Sequence, residues 1–434
     1  MRQADNIIIG AGPGGYELAG MLAARGESVI LIERDREGGT CLNRGCIPTK
    51  CLAVTAETAE TCRRAAEFGI MCGDVGVDYA AAKARMDGVI DTLRQGIASL
   101  LRNVEIVRGS ARLCTDRCVD VGGEIFHAGK RIVIATGSSP ATLPVEGASL
   151  AMTSDDVLAL DSLPSSAVII GGGVIGLEFA SIWSALGVDV TVVEFCKEIL
   201  PPFDPEIAKR LRTMLTRRGI RFAVSTAVKE IVRNDDGLKV IADGKRGQVE
   251  FSAESVIMAV GRRPVVPDGC KSAGVEIGPR GFIKVDNMMQ TTSPGIYAIG
   301  DCNGLCMLAH AASAQARVVA DGNPDAFDAG CIPSVVFTMP EAASVGPTPE
   351  VLEAKGIETT VVKRSFASLG KAQAMGEADG VVKIVKAKDD GRVLAVSIIG
   401  PHASDLVAEA TAMVAGRDTS FVHAHPTLSE IFVD

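Results

Sequence analysis

Tryptophan occurs once in this 434-residue chain, tyrosine three times and histidine five times. With aromatics at 4%, a net charge of −9 and no basic run for aromatics to interleave, neither nucleic acid nor an anionic membrane surface is expected as the main partner. No apolar stretch approaches the roughly 18 residues that span a bilayer, so no membrane segment is expected. The first apolar β run starts near Asn6, leaving no room for a signal or transit peptide, and a cytoplasmic location is the expectation. A metal-ligand cluster is also lacking. Cys114/Cys118 and Cys302/Cys306 have suggestive spacing, but each pair stands without nearby His or Cys partners, and no metal is expected. Cys51, Cys62, Cys72, Cys196, Cys270 and Cys331 read as ordinary reduced cysteines.

What the chain does have is apolar content, 47%, enough for roughly two to four cored domains. It also has the same nucleotide-binding pattern twice. Ile7-Ile8-Ile9 leads into a GxGxxG turn at Gly10, Gly12 and Gly15, and the apolar run Val29–Ile32 ends in Glu33. In such a strand, turn, helix, strand and acid unit, backbone N–H groups and a helix N-terminus hold a pyrophosphate while the carboxylate takes ribose hydroxyls. Val168-Ile169-Ile170 feeds a second turn at Gly171, Gly173 and Gly176, and Val188–Val193 ends in Glu194. Two dinucleotide sites need two cofactors. A carboxylate at Glu194 bonds a free 2′-hydroxyl and repels a 2′-phosphate, which favours NAD over NADP.

Shortly after the first unit stand Cys41 and Cys46. On an ideal helix, residues five apart have Cα atoms roughly 8 Å apart, and a disulfide tolerates at most about 7 Å. A bond between them therefore demands a distorted helix start, which Gly45 and Pro48 make easy. Spacing alone leaves two readings open: a readily reduced disulfide, or two reduced cysteines packed as small hydrophobes.

These features, with Ala135-Thr136-Gly137, Gly261-Arg262-Arg263-Pro264, Ile296-Tyr297-Ala298-Ile299-Gly300-Asp301 and His423-Ala424-His425-Pro426-Thr427-Leu428-Ser429-Glu430, resemble the flavoprotein disulfide reductases of the pyridine-nucleotide type. The HAHPTLSE string resembles the dihydrolipoamide dehydrogenase branch. Glutathione reductases typically lack its first histidine, mercuric reductases end in a cysteine pair, and coenzyme A disulfide reductases and soluble transhydrogenases lack one or both members of the CxxxxC pair.

The resemblance implies an α/β fold of two Rossmann-like dinucleotide-binding domains plus a C-terminal α+β dimerisation domain. The expected divisions are an FAD-binding domain at 1–143, an NAD-binding domain at 144–264, a return to the first domain at 265–329, and an interface domain at 330–434. It implies FAD at Gly10, Gly12, Gly15, Glu33, Lys50, Thr136, Gly137, Asp301 and Ala309, and NAD at Gly171, Gly173, Gly176, Glu194 and Gly261. Cys41 would be the interchange thiol and Cys46 the thiolate beside flavin, with Lys50 paired to Glu178. His425 would take the substrate thiol proton, oriented by Glu430, in a homodimer that serves a lipoylated protein of a 2-oxo acid dehydrogenase complex or a glycine cleavage system. Two alternatives are a reductase of another small disulfide and a binding subunit with impaired catalysis. The chain departs from the family between Ala410 and His423, which is shorter by several residues, and after Glu430, where four residues follow. It departs again at Phe337, Met339 and Leu305-Cys306.

Overall fold

The computed structural model describes residues 2–115, 117–235 and 237–433. The chain forms two compact units, one of Met1–Cys51, Ala81–Ala141 and Arg262–Ala329, the other of Leu52–Ala80, Thr142–Gly261 and Gly330–Asp434.

In the first unit, strands Glu105–Arg108, Val29–Glu33, Arg2–Ile9 and Glu124–Ile134 lie side by side and parallel. Val29–Glu33 is buried along its whole length, the apolar run that a strand covered on both faces requires. Strand Glu124–Ile134 is long enough to serve two partners on its far edge. Cys118–Val121 runs antiparallel beside its first half and Ile296–Ala298 parallel beside its end. On one face Ile7, Ile9, Ile30, Ile32, Phe126, Ile132 and Ile134 join a core with Val119 and Ile283. Helix Pro13–Ala24 owes its close packing to small residues. A Cβ at Gly14 would stand 3.2 Å from the Ala312 carbonyl, and one at Gly20 would stand 2.8 Å from Leu100 Cγ. Leu100 ends helix Tyr79–Leu100, whose buried Met86, Ile90 and Ile97 recur at helical spacing.

The second unit holds another parallel sheet, ordered Arg221–Val224, Asp189–Glu194, Ser166–Ile170 and Ser255–Met258. An antiparallel meander of Ala227–Asn234, Gly237–Gly244 and Gly247–Ala253 packs Ile231, Leu238 and Val240 against Val168, Ile170 and Val193. A five-stranded antiparallel sheet follows, with strands Ser334–Val336, Glu341–Val345, Val393–Gly400, Val381–Ala387 and Thr359–Ser365 in that order. Helix Ala403–Val414 covers it through Leu406, Val407 and Ala410. The α/β class, with two dinucleotide-type sheets and a C-terminal α+β portion, is the one the resemblance implied.

Candidate active site

Both glycine turns are built alike. Gly10 and Gly171 sit at φ +105° and +111°, in the left-handed region, where an added Cβ would also meet the carbonyl of Ala135 or Ala259 at 2.3 Å. A Cβ at Gly15 would lie 1.9 Å from the Gly10 carbonyl, and one at Gly176 2.1 Å from that of Gly171. Gly12 and Gly173 differ: each precedes a helix, and an added Cβ there meets nothing within 4 Å. The space before both helix N-termini is therefore open at the position a pyrophosphate takes, and both cradles fit a dinucleotide.

The acids at the strand ends also hold the turns together. Glu33 accepts the Ala11 N–H at 2.7 Å and the Asp35 N–H at 2.8 Å. Glu194 accepts the Gly172 N–H at 2.5 Å and the Cys196 N–H at 2.7 Å. Burial and then the Glu194 carboxylate push the Cys196 thiol up from its ordinary pKa.

Cys41 lies on the short helix Gly39–Arg44 and Cys46 opens the next helix, Cys46–Arg63. The break falls at Gly45, at φ −149° and ψ −111°, where a Cβ would stand 2.9 Å from the Thr40 carbonyl. The helix start is thus distorted at Gly45, as a bond between the two cysteines would demand. Both cysteines stand as thiols. A hydrogen bond with Cys46, then burial, holds the Cys41 pKa far above the usual thiol range, while the charge of Lys50 acts in the opposite sense. Asn43, between the cysteines, donates to the carbonyls of Glu37 at 3.0 Å and Gly39 at 2.9 Å and accepts from Arg94 at 2.8 Å. The loop is thereby tied to helix Tyr79–Leu100.

Elsewhere in this unit Ser138 links two of the quoted motifs. Its hydroxyl donates to Asp301 at 2.5 Å and accepts from Arg262 Nε at 2.7 Å. Thr136 donates to the Val265 carbonyl at 2.5 Å, Gly137 is left-handed at φ +68°, and Ala309 opens helix Ala309–Asp321.

Glu178 belongs to the other unit, 4% exposed on helix Val174–Ala185, where it accepts the Phe337 N–H at 3.1 Å. Gly261, at φ +105°, ends a segment of that unit. His425 Nδ1 stands 2.8 Å from Glu430 Oε1, and Glu430 Oε2 accepts the Thr427 N–H at 2.8 Å. The Thr427 N–H first, then His425, hold the Glu430 carboxyl below its ordinary range. The structure thus brings together Cys41 with Cys46 in the first unit, to which Lys50 also belongs, and His425 with Glu430 in the other, to which Glu178 belongs. Asn43, Arg94 and Ser138 belong to none of the motifs that marked the other residues, although Asn43 lies inside the cysteine pair and Ser138 directly follows Ala135-Thr136-Gly137.

Two dinucleotide cradles and a cysteine pair beside the first define a two-cofactor oxidoreductase. The chain belongs to the pyridine nucleotide-disulphide oxidoreductase family, whose model matches residues 4–316 and whose dimerisation domain matches residues 332–434. Among its relatives, the dihydrolipoyl dehydrogenase of Chlamydia muridarum is 39% identical over 447 residues, covering 99% of this chain and 95% of the relative. That of Thermus scotoductus is 39% identical over 447 residues, with 99% and 96% covered. A solved structure of RclA from Escherichia coli, an HOCl-induced flavoprotein disulfide reductase, aligns with a TM-score of 0.86 at 28% identity, covering 98% of both chains.

Proposed function

We propose that this chain catalyses the dihydrolipoyl dehydrogenase reaction, in which a protein-borne dihydrolipoyl group becomes a cyclic disulfide and NAD⁺ becomes NADH with release of a proton. Relatives of that name match along nearly the whole chain, and the local observation that carries the reading is the 2.8 Å His425–Glu430 pair. A carboxylate on Nδ1 fixes that nitrogen as the donor and leaves Nε2 as a base for a thiol proton.

The family and the open first cradle support FAD at Gly10, Gly12, Gly15 and Glu33, with Lys50, Thr136, Gly137, Asp301 and Ala309 completing the site. NAD is assigned to Gly171, Gly173, Gly176, Glu194 and Gly261. Bound FAD supplies a two-electron carrier that can exchange with both a dithiol and a nicotinamide.

The chain's own residues perform the sulfur chemistry, starting from the Cys41–Cys46 disulfide. His425 removes a proton from one substrate thiol, because thiolate is the nucleophile. The thiolate attacks Cys41 Sγ, a mixed disulfide forms, and Cys46 leaves as thiolate. The second substrate thiol attacks the substrate sulfur of that mixed disulfide, its proton passing to the departing Cys41 sulfur. The substrate closes to its cyclic disulfide, and Cys41 is released as the second sulfur of the dithiol. Lys50, whose charge already opposes the rise of the Cys41 pKa, stabilises thiolate at the pair, and Glu178 is assigned as its partner.

The proposal extends to the domain divisions 1–143, 144–264, 265–329 and 330–434, to a cytoplasmic homodimer, and to a lipoylated protein of a 2-oxo acid dehydrogenase complex or a glycine cleavage system as partner. The matched dimerisation domain supports the homodimer. Among the described residues no helix is long and apolar enough to cross a membrane. The likeness to RclA supports a second reading, reduction of another small disulfide, at lower identity. The test is NADH formation at 340 nm from NAD⁺ with dihydrolipoamide, glutathione or coenzyme A as donor. Turnover with dihydrolipoamide is expected; turnover with another thiol alone would overturn the substrate assignment.

A further inference from the structure

Beside the His425–Glu430 pair lies a second histidine–carboxylate pair that the chemistry above does not use. His423 Nε2 stands 2.8 Å from Glu409 Oε1. Of the two pairs this is the buried one: the side chains of His423 and Glu409 are 7% and 15% exposed, against 79% for His425. Glu409 rides on helix Ala403–Val414, whose Leu406, Val407 and Ala410 are fixed in the core. His423 has no such support of its own. From Ala415 to Pro426 the chain is neither helix nor strand, and every side chain but Thr419 and His423 is exposed, Val422 at 99%.

Between the end of that helix and His425, the Glu409–His423 bond is thus the charged contact that reaches the core. The Phe421 ring covers His423, with centroids 4.8 Å apart at 30°. His425 follows two residues later, at most about 7 Å of extended backbone. Downstream, Thr427 closes the turn by donating its hydroxyl to the Ala424 carbonyl at 2.7 Å and its N–H to Glu430 at 2.8 Å. The His425 ring is therefore bracketed by a turn on one side and by the His423 anchor on the other. His423 is also among the groups that lower the Glu430 carboxyl, so the two pairs feel each other electrostatically.

We propose that Glu409 and His423 are positioning residues, a buried pair that ties the His425 segment to helix Ala403–Val414 and so presents the His425–Glu430 pair from a fixed backbone. This rests on the base role given to His425. Small displacements of a catalytic base are expensive, because proton transfer needs hydrogen-bond reach to the substrate thiol.

The experiment compares two reactions of the holoenzyme: dihydrolipoamide with NAD⁺, which needs the base, and NADH with ferricyanide, which needs no thiol deprotonation. Glu409→Ala should lower kcat of the first about ten- to a hundredfold, the scale of a misplaced catalytic group, and leave KM for NAD⁺ and the ferricyanide rate unchanged. Glu409→Gln, whose amide oxygen still accepts from Nε2, should recover most of the loss. Added to His425→Gln, Glu409→Ala should cost nothing further. If Glu409→Ala does not accumulate as holoenzyme, the double variant Glu409→Leu with His423→Phe replaces both partners by apolar groups and is read in the same way. A crippled His425→Gln beside an unaffected Glu409→Ala sinks the anchor alone, as does an equal loss in both reactions. Full turnover by His425→Gln sinks the base assignment and the anchor with it.

Discussion

Two glycines of the second turn exclude side chains for opposite reasons, and the difference can be measured. At Gly176 the obstacle is the protein itself, the Gly171 carbonyl 2.1 Å from an added Cβ. Gly176→Ala should therefore lose about 1–3 kcal/mol of stability, as overpacking does, seen as a lower unfolding midpoint. At Gly173 nothing stands in the way, so Gly173→Ala should melt like the unaltered protein. It should nevertheless bind NAD about tenfold more weakly or worse, a difference of ~1.4 kcal/mol. Unchanged NAD affinity in a folded Gly173→Ala would remove the helix N-terminus from the pyrophosphate site. Glu194 shows what was legible at this scale and what was not. Its place after an apolar strand marked it in the sequence as a ribose acceptor, whereas its bonds to the Gly172 and Cys196 N–H groups depend on how the turn folds back. Glu194→Ala should lower the kcat/KM preference for NADH over NADPH by about 1–3 kcal/mol, the scale of a charge-assisted hydrogen bond, and destabilise the turn as well. A preference left intact would assign coenzyme choice to other residues.

Among elements, those with a local signature could be read in advance. Helix Tyr79–Leu100 carries its signature in the chain itself, since its buried Met86, Ile90 and Ile97 recur at helical spacing. The break between the two cysteines followed from disulfide reach, although Pro48 turns out to sit in the first turn of helix Cys46–Arg63, where its missing N–H has no partner to lose. Long-range ion pairs left no such trace. Asp204 caps helix Pro205–Arg217 by accepting the Glu206 N–H at 2.9 Å, and its other oxygen stands 2.7 Å from Lys383 Nζ, an ion pair without good hydrogen-bond alignment. Lys383, 10% exposed, also reaches Glu206 at 3.1 Å. Lys383→Met should cost about 3–5 kcal/mol, because it leaves the buried Asp204 charge without its partner; a loss under ~1 kcal/mol in urea unfolding would show that the pair contributes little. The hydrogen bond from Lys363, assisted by Lys383 against burial, holds the Glu206 carboxyl below its ordinary value. A lowered folded-state pKa contributes stability that is present above the unfolded value of about 4.3 and lost as pH falls through the folded one. The unaltered protein should therefore lose stability more steeply below about pH 4.3 than Glu206→Gln does, which acid-range thermal melts can resolve.

At the scale of the whole molecule, the proposed chemistry needs groups from two places: the cysteine pair of the first unit, and the His425–Glu430 pair in the region matched by the dimerisation domain. The proposed homodimer has an isologous interface, so whatever one chain lends its partner it receives back. If each active site joins Cys41 and Cys46 of one chain to His425 and Glu430 of the other, Cys41→Ser and His425→Gln homodimers are both inactive. A heterodimer of the two then carries both defects in one site and neither in the other. Random exchange of equal amounts makes about half the dimers mixed, with half of their sites intact, so roughly a quarter of wild-type activity should return. If His425 serves its own chain instead, every site in every mixture holds one defect and nothing is regained. Subunit exchange is followed by a mass tag on one variant, so that failure to recover activity with mixed dimers present counts against the shared site rather than against the mixing.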